Sequence, residues 1–306
     1  MVLILALSAV GTRATAADEA QCASLTLCAG TGQSSNILVW KLTNTSSLAS
    51  SPVLALTNKS IGVDQYAIPP KSDQKAGDFP QGQCINDTTT TITSLGPPFV
   101  GCWQVLFGAE PAHDEVISHL DSSDTRMMQT AYANGRLWGA LDTDIIVNGV
   151  HKAGIQYFIV NPNTGKLALQ GTLALANNNL TYSAIAVLPS GRGVMAFTVV
   201  GADHYPSAGY TSLDAVAGAG DIHIAAEGLG PDDGFASYKA QVGNPPRTRW
   251  GDYGAAAVDG NTIWIASEYV AQTCTLAQYV SAPFGSCGGT RATLGNWATR
   301  ISKLTP

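Results

Sequence analysis

Charged side chains are scarce in this sequence of 306 residues, making up 12% of the chain, about half the usual share. Disorder is excluded, because a disordered chain carries more charge and less than this chain's 45% of hydrophobic residues. The few lysines and arginines are scattered and the formal net charge is −6, so no basic patch of the kind that binds nucleic acid is present. The composition predicts a folded protein without a nucleic-acid partner.

Helical periodicity is also missing, since no segment sustains apolar residues at positions i, i+3, i+4 and i+7. No apolar run is long enough to span a membrane. Glycine is abundant, with 32 residues, and many short strand-like runs are bounded by Asn-Gly, Asp-Gly, Ser-Gly or proline-containing turns. The sequence therefore predicts an all-β chain. The strand-like runs are residues 36–44, 51–58, 102–108, 136–143, 154–160, 193–200, 221–228, 262–270 and 297–304.

Residues 1–20 have two interpretations. The apolar run followed by Ala14-Thr15-Ala16 is typical of a signal peptide, but no lysine or arginine precedes the run as a signal peptide requires. The alternative is that "VLILALSAVG" forms the first strand of the fold.

Six cysteines occur as three pairs of near neighbours, in segments of low charge. This spacing predicts three local disulfides and hence an oxidising, extracellular compartment. Zinc ligation and free thiols are the alternatives, although no Cys-x-x-Cys is present. Residues 70–120 then form a long insertion that carries a disulfide. The predicted pairs are Cys22–Cys28, Cys84–Cys102 and Cys274–Cys287.

Three segments of the chain, residues 129–144, 182–203 and 253–269, are similar to each other. Each has a strand of small residues, a turn with a glycine and a second strand of bulkier residues. A four-stranded unit that repeats in this way is a propeller blade, and residues 1–306 are predicted to form one β-propeller domain of about five or six blades. A β-sandwich, the alternative, gives no reason for the matching pairs. Bulky residues of the second strands are expected to be buried between blades, namely Trp138, Phe197 and Trp264.

The segments "DTRMMQTAYANGRLWGA", "YSAIAVLPSGRGVMAFTVVGADHYPSAGY" and "RWGDYGAAAVDGNTIWIASEY" resemble a family of uncharacterised bacterial secreted proteins of sialidase-like β-propeller type. The resemblance covers roughly residues 36–306. It implies a secreted propeller that is incomplete at the N-terminus, where an early blade is missing, and it implies no established activity. The Ser-x-Asp-x-Gly-x-Thr-Trp turns of true sialidases are absent, so no residue is assigned to the sialidase catalytic set.

Polar residues come before the strands of small residues and after the strands of bulky residues. In a propeller both of these positions lie at one face, around the mouth of the channel. Tyrosines there can stack on sugar rings, and arginines can hold an anionic sugar. Such residues also tie blades together, so a structural role is the alternative for each. The ligand-binding candidates are Arg126, Gln129, Tyr182, Tyr205, Arg249, Asp252, Tyr253 and Glu268, and the catalytic candidates are Asp203, Asp252, Tyr253 and Glu268.

Two functions are compatible with this pattern. The first is a secreted propeller that binds a glycan or another extracellular partner without catalysis. The second is a sialidase-like glycoside hydrolase or lyase that uses paired carboxylates. No cofactor is expected. Asp142 and Asp144 begin a segment with some resemblance to a calcium loop, but Ile146 stands where such a loop needs an oxygen ligand.

Overall fold

A computed structural model of the chain describes residues 3–8, 33–86, 91–92, 99–100, 119–233, 250–251, 254–292 and 295–306. For residues 3–8, 85–86, 91–92 and 99–100 it describes the backbone alone. These residues confirm the all-β prediction: they form four antiparallel sheets of three or four strands, with two short strand pairs and two short helices.

The first sheet has three strands and begins near the N-terminus. They are β1 (Leu3–Ser8), β2 (Gln33–Thr43) and β3 (Ala55–Ala67), in that order across the sheet, and a 3-10 turn (Thr45–Ala49) follows β2. The alternation of β2 turns Ile37 and Val39 to one face, where they join Ile61 and Tyr66 of β3 in a buried cluster.

The described part of the insertion after the first sheet consists of short elements. Its elements are β4 (Ser72–Asp73), α1 (Pro80–Asn86), β5 (Thr91–Ile92), β6 (Phe99–Val100) and β7 (His119–Leu120), with β4 paired to β7 and β5 to β6. Polar contacts fix it to distant segments. Tyr205 donates a hydrogen bond to the carbonyl of Ala76 at 3.0 Å, and Thr273 donates one to the carbonyl of Asp78 at 3.0 Å. The predicted strand at 102–108 lies outside the described residues.

The second and third sheets are four-stranded meanders, in which each strand pairs with the next along the chain. The second sheet has β8 (Thr130–Ala133), β9 (Arg136–Val147), β10 (Val150–Asn161) and β11 (Lys166–Leu173). The third has β12 (Asn178–Val187), β13 (Arg192–Gly201), β14 (Ser207–Asp214) and β15 (Gly218–Ala226). Both are repeats of the predicted kind, and the glycines expected at their first turns, Gly135 and Gly191, have positive φ.

The fourth sheet has three strands, β16 (Ala255–Asp259), β17 (Thr262–Val270) and β18 (Trp297–Leu304). Between β17 and β18 lie α2 (Leu276–Tyr279) and a 3-10 turn (Cys287–Gly289). Thr275 caps α2 by accepting from the backbone of Gln278, whose side chain reaches back to the Thr275 amide. The predicted disulfide Cys274–Cys287 is present, with a Cα–Cα distance of 5.7 Å.

Cys84 is also disulfide-bonded and lies in one buried cluster with Cys274 and Cys287. Three cysteines lie outside the described residues, namely Cys22, Cys28 and Cys102. The predicted pairs Cys22–Cys28 and Cys84–Cys102 therefore lie outside them too.

The four sheets stack face to face in chain order. A large apolar cluster between the second and third sheets includes Trp138, Ile155 and Phe197, and a smaller one between the third and fourth includes Ala184, Ile263 and Ile265. Trp138 and Phe197 are fully buried, as expected. Trp264 is not: 39% of its surface is exposed, because it faces away from the third sheet.

The first strands of three successive sheets lie side by side, since β12 contacts both β8 and β16. Gln129, just before β8, reaches across to β16. Its side-chain amide donates to the carbonyl of Ala256 at 2.7 Å and accepts from the Ala256 backbone N–H at 3.1 Å. The sheets therefore converge along their first strands.

A buried ion pair joins three distant segments next to the disulfide. The Nη1 of Arg291 lies 2.6 Å from Asp233 Oδ2, and its Nη2 lies 3.0 Å from Asp233 Oδ1. Arg291 also donates to the side chain of Gln81 in α1, and the Gln81 backbone donates to Asp233. The guanidinium stands 5.1 Å from the centre of the Tyr279 ring.

Candidate functional site

A small cavity lies where the third sheet meets the segment before the fourth. It is small, with room for about one water molecule. Its walls are formed by Tyr182, Thr198, Trp250, Gly251, Gly254, Ser267 and Glu268.

Tyr182 forms one wall and has an unusual backbone conformation. Its φ is +59°, at the point in β12 where the pairing with β13 shifts register, between Thr181 and Ala184. A bulky residue other than glycine rarely adopts this left-handed region, and such strain of about 1–3 kcal/mol persists only when surrounding contacts hold it.

Asp142 of β9 supplies those contacts. Its Oδ2 accepts from the backbone N–H of Tyr182 at 2.7 Å, and its Oδ1 accepts from the N–H of Ser183 at 3.4 Å. The side chain is almost fully buried. Burial raises the pKa of Asp142 from 3.8 to about 7, against the lowering effect of these hydrogen bonds, and the nearby Asp124 carboxylate raises it further. A carboxyl group with a pKa raised by burial thus lies directly behind the cavity wall.

Trp250 packs against the third sheet. Its indole N–H donates to the hydroxyl of Thr198 at 3.1 Å, and its ring belongs to a buried cluster with Tyr182 and Val200. Gly251 follows with φ +53°. A Cβ at this position would lie 3.3 Å from the Tyr182 ring and 3.4 Å from Glu268 Oε2, so the glycine allows these two side chains to approach each other.

Ser267 carries a buried hydroxyl that faces this space. The residue is 5% exposed, and its Oγ has no hydrogen-bond partner among the residues that the structure describes. Buried polar atoms are normally paired, because an unpaired one costs about 1–3 kcal/mol. An unpaired hydroxyl on a cavity wall is therefore a place where a ligand or a water molecule binds.

Two of the predicted site residues, Tyr182 and Glu268, meet at the cavity. Gln129 does not: it joins the first strands of the second and fourth sheets. Arg126 precedes β8 with about half of its side chain exposed, and its Nε lies 2.8 Å from Asp124 Oδ1.

Asp203 and Tyr205 lie beyond the end of β13 and have structural partners. The Asp203 carboxylate accepts from the side-chain amides of Asn177 and Asn178, which fixes the chain after β13. The Tyr205 hydroxyl is bonded to the insertion, and Lys75 Nζ stands 5.0 Å from the centre of its ring. Neither residue is part of the cavity wall.

Three predicted site residues lie outside the described residues: Arg249, Asp252 and Tyr253. Of the same stretch, the structure describes Trp250, Gly251 and Gly254, which are on the cavity wall.

The sequence analysis did not select three of the functional candidates, which are Asp142, Thr198 and Ser267. The sequence placed Asp142 among the polar residues that follow a bulky strand, but nothing in it indicated contact with Tyr182, 40 residues later. Thr198 and Ser267 stand among the apolar residues of their strands, where a small hydroxyl residue gives no signal.

No group of three or more histidine, cysteine or acidic side chains able to hold a metal ion occurs in the described part of the chain. Asp142 and Asp144 lie on β9, and the side chain of Asp144 is bonded to His151 Nδ1 at 2.6 Å. They belong to the hairpin of β9 and β10 rather than to a calcium loop. Of the described residues, none forms a helix long and apolar enough to cross a membrane. No protein-family model and no curated protein matches the chain.

Proposed function

We propose that the chain is a secreted β-propeller that binds a glycan, or another extracellular ligand, through the cavity between Tyr182 and Glu268. The observation that carries this proposal is the strained Tyr182 backbone, held by a buried carboxylate at a cavity with an unpaired hydroxyl. Strain of this kind collects at ligand sites, because a folded protein otherwise loses it.

The propeller arrangement is supported by the meander sheets and their convergence. Two complete four-stranded units follow each other in the chain, and the first strands of three sheets meet. The bond between Gln129 and Ala256 links sheets that are not neighbours in the stack. Such a bond supports an arrangement in which the first strands gather around a common axis, as the innermost strands of blades do.

Secretion is supported by the disulfide Cys274–Cys287 and the disulfide-bonded Cys84. Disulfides form and persist in oxidising compartments and are rare in the cytosol.

A glycoside hydrolase is the second candidate, and one observation favours it. Asp142, whose pKa is raised to about 7, contacts the backbone of Tyr182, while Glu268 lies close to the ring of the same residue. Two carboxyl groups with different environments can act as acid and as base or nucleophile. The near-complete burial of Asp142 and its bonds to two backbone N–H groups favour a positioning role and hence the binding function.

A glycan array, run beside a panel of chromogenic glycosides, tests both functions. Tyr182→Ala and Glu268→Gln are expected to weaken glycan binding at least tenfold. Tyr132→Ala is the matched control, because Tyr132 is 62% exposed on β8 and is not on the cavity wall. Turnover of a glycoside that Asp142→Asn abolishes would favour the hydrolase. Unchanged binding by both cavity variants would refute the proposed site.

A further inference from the structure

The two sheets at the ends of the stack each have one face that no other described sheet covers. The second sheet has a neighbour on both faces, because Leu137 packs towards the first sheet and Trp138 towards the third. The third sheet lies between the second and the fourth. The first and fourth sheets each pack against one neighbour, and none of the extensive contacts between described strands joins them to each other. The stack therefore has two open faces.

The open face of the fourth sheet is apolar. Ile263 and Ile265 pack against the third sheet, so Trp264 between them faces the other way. The pairing of β17 with β18 places Ile301 on the same face as Trp264. Trp264 is 39% exposed and Ile301 is 61% exposed. Small side chains beside them leave room for large ones from a partner, namely Ala255, Ala257 and Ala266.

The open face of the first sheet is apolar as well. Ile37 and Val39 of β2 pack against the second sheet. Leu56 of β3 lies on the opposite face and is 57% exposed. The β3 residues further along this face are neutral, so a partner can cover it without burying a charge. The face consists of Leu38, Trp40 and Leu42 of β2 and of Leu56, Asn58 and Ser60 of β3.

Inside the molecule, a face like that of the fourth sheet is covered by the next sheet. Trp138 has the same position on the second sheet as Trp264 on the fourth, and it is fully buried. The third sheet covers it through a cluster that includes Phe197. Phe197 lies on the face of the third sheet that points back along the stack, and Trp40 lies on the corresponding face of the first sheet. The first sheet thus presents the kind of surface that the fourth sheet lacks as a cover.

We infer that a second copy of the chain supplies this cover, with the first sheet of one copy packed on the fourth sheet of the next. The two faces differ, so the contact is head-to-tail, and repeated contacts of this kind form rings or filaments. Three strands of about eight residues give a face of roughly 14 by 26 Å, which is at the low end for a specific interface. Association is therefore expected to be weak and to depend on concentration.

Size-exclusion chromatography with light scattering, at chain concentrations from about 1 to about 200 µM, tests the contact. The average mass of the wild-type protein is expected to rise at least twofold over this range. Ile301→Asp places a charge on the fourth sheet and Leu56→Asp places one on the first, and each variant is expected to stay monomeric. An equimolar mixture of the two should form a dimer and nothing larger. The mixture keeps one intact contact, between the fourth sheet of Leu56→Asp and the first sheet of Ile301→Asp.

Val216→Asp is the matched control, because Val216 is 84% exposed between β14 and β15 and lies on neither open face. It should associate as the wild type does, and loss of association in this variant would overturn the inference. A wild-type protein that is monomeric at every concentration would also overturn it. So would a mixture that stays monomeric, or a Leu56→Asp variant that associates like the wild type, since the fourth sheet would then dock on another face. If Ile301→Asp is unfolded by circular dichroism, Trp264→Ala replaces it in the same experiment.

Discussion

Tyr182 and Asp142 act as a unit at the scale of single residues. The side chain of Asp142 takes the place of a strand partner for two backbone N–H groups at the register shift in β12. The left-handed conformation of Tyr182 is therefore held from behind by a buried carboxyl group, while its ring faces the cavity. The proton on Asp142 affects this support, because the charged form is costly to bury and the neutral form is a weaker acceptor.

Stability is predicted to fall between about pH 4 and pH 7 through Asp142. The folded protein keeps the proton up to about pH 7, whereas the unfolded chain releases it near 3.8. The folded state thus binds more protons in this window, and its free energy of unfolding decreases as pH rises, by at most roughly 4 kcal/mol. Asp142→Asn removes this titration but keeps an acceptor oxygen, so urea unfolding from pH 4 to 8 should show a flatter profile.

Asp203→Asn is the matched control for that measurement. Asp203 is an exposed carboxylate bonded to two asparagine side chains, and the same substitution there should leave the wild-type pH profile in place. An Asp142→Asn profile that is parallel to the wild-type profile would contradict the assignment.

Gly201, at the end of β13, is predicted to be intolerant of a side chain. A Cβ there would lie 2.5 Å from the Cα of Asn178 and would also strike the carbonyl of Asn177, and backbone atoms cannot move aside cheaply. Gly201→Ala is expected to lower the free energy of unfolding by about 1–3 kcal/mol. Gly62→Ala is the control, since nothing lies within 4 Å of its Cβ position, and should be neutral or slightly stabilising in chemical denaturation.

At the scale of strands, corresponding residues have different surroundings in successive sheets. Trp138 and Trp264 occupy the same place relative to their turns, and each indole N–H is bonded to an oxygen atom of the residue five positions earlier. Trp138 is covered by the third sheet, whereas Trp264 is partly exposed with Lys303 Nζ 5.2 Å from its ring centre. The strand pattern repeats, but burial depends on which sheet lies next.

Gln129 is predicted to couple the first strands of the second and fourth sheets. Gln129→Ala removes both of its bonds and leaves the N–H and carbonyl of Ala256 without these partners. The loss should lower the free energy of unfolding by about 1–3 kcal/mol. Hydrogen exchange should be faster at the Ala256 amide.

Gln65→Ala is the control, because Gln65 is an exposed residue bonded to the side chain of Gln33. Its effect on stability should be within about 0.5 kcal/mol. Equal effects of the two substitutions would show that the contact between Gln129 and Ala256 is unimportant.

Across the whole molecule, the insertion is fixed to the end of the chain by buried polar and covalent bonds. Arg291, Asp233 and Gln81 join three segments next to the disulfide Cys274–Cys287. Burial raises the pKa of the Tyr279 hydroxyl in the same cluster, so this phenol stays neutral. The cluster stabilises a region whose described part has only short strands.

Arg291→Ala is predicted to lower the free energy of unfolding by about 3–5 kcal/mol, because it leaves the buried Asp233 carboxylate without its charged partner. Arg126→Ala provides the comparison, since its ion pair with Asp124 is half exposed and should contribute at most about 1 kcal/mol. Thermal and urea unfolding of both variants measure the difference, and similar losses would contradict the structural importance of the buried pair.

Replacing Cys274 and Cys287 with serine opens a loop with a sequence separation of 13 residues. The expected loss of stability is about 2–4 kcal/mol, chiefly because the unfolded chain gains freedom. Peptide mapping without reduction should recover the Cys274–Cys287 peptide from the wild-type protein. Free thiols at both positions would refute the disulfide and remove the main support for secretion.

The local sequence determined those strands that have a clear apolar pattern and are bounded by turn residues. Two predicted runs, 262–270 and 297–304, coincide with β17 and β18. Turns also lie where they were expected, at Gly135, Gly191 and Gly260. These features could be predicted because turn residues and side-chain alternation act over a few positions. β14 was missed: its "SAGYTSLD" is largely small and polar, and it becomes a strand through pairing with β13 and β15.

The tertiary structure decided which polar residues meet. The sequence indicated Tyr182 and Glu268, but it also indicated Asp203, Tyr205, Arg126 and Gln129, which have other partners. Contacts such as Asp142 with Tyr182 join residues 40 positions apart, and their formation depends on how whole sheets stack. A local sequence pattern predicts which face of its own strand a side chain lies on. The residue that this side chain contacts depends on the packing of strands that are distant in sequence. The chemistry of the site is therefore determined by the tertiary structure.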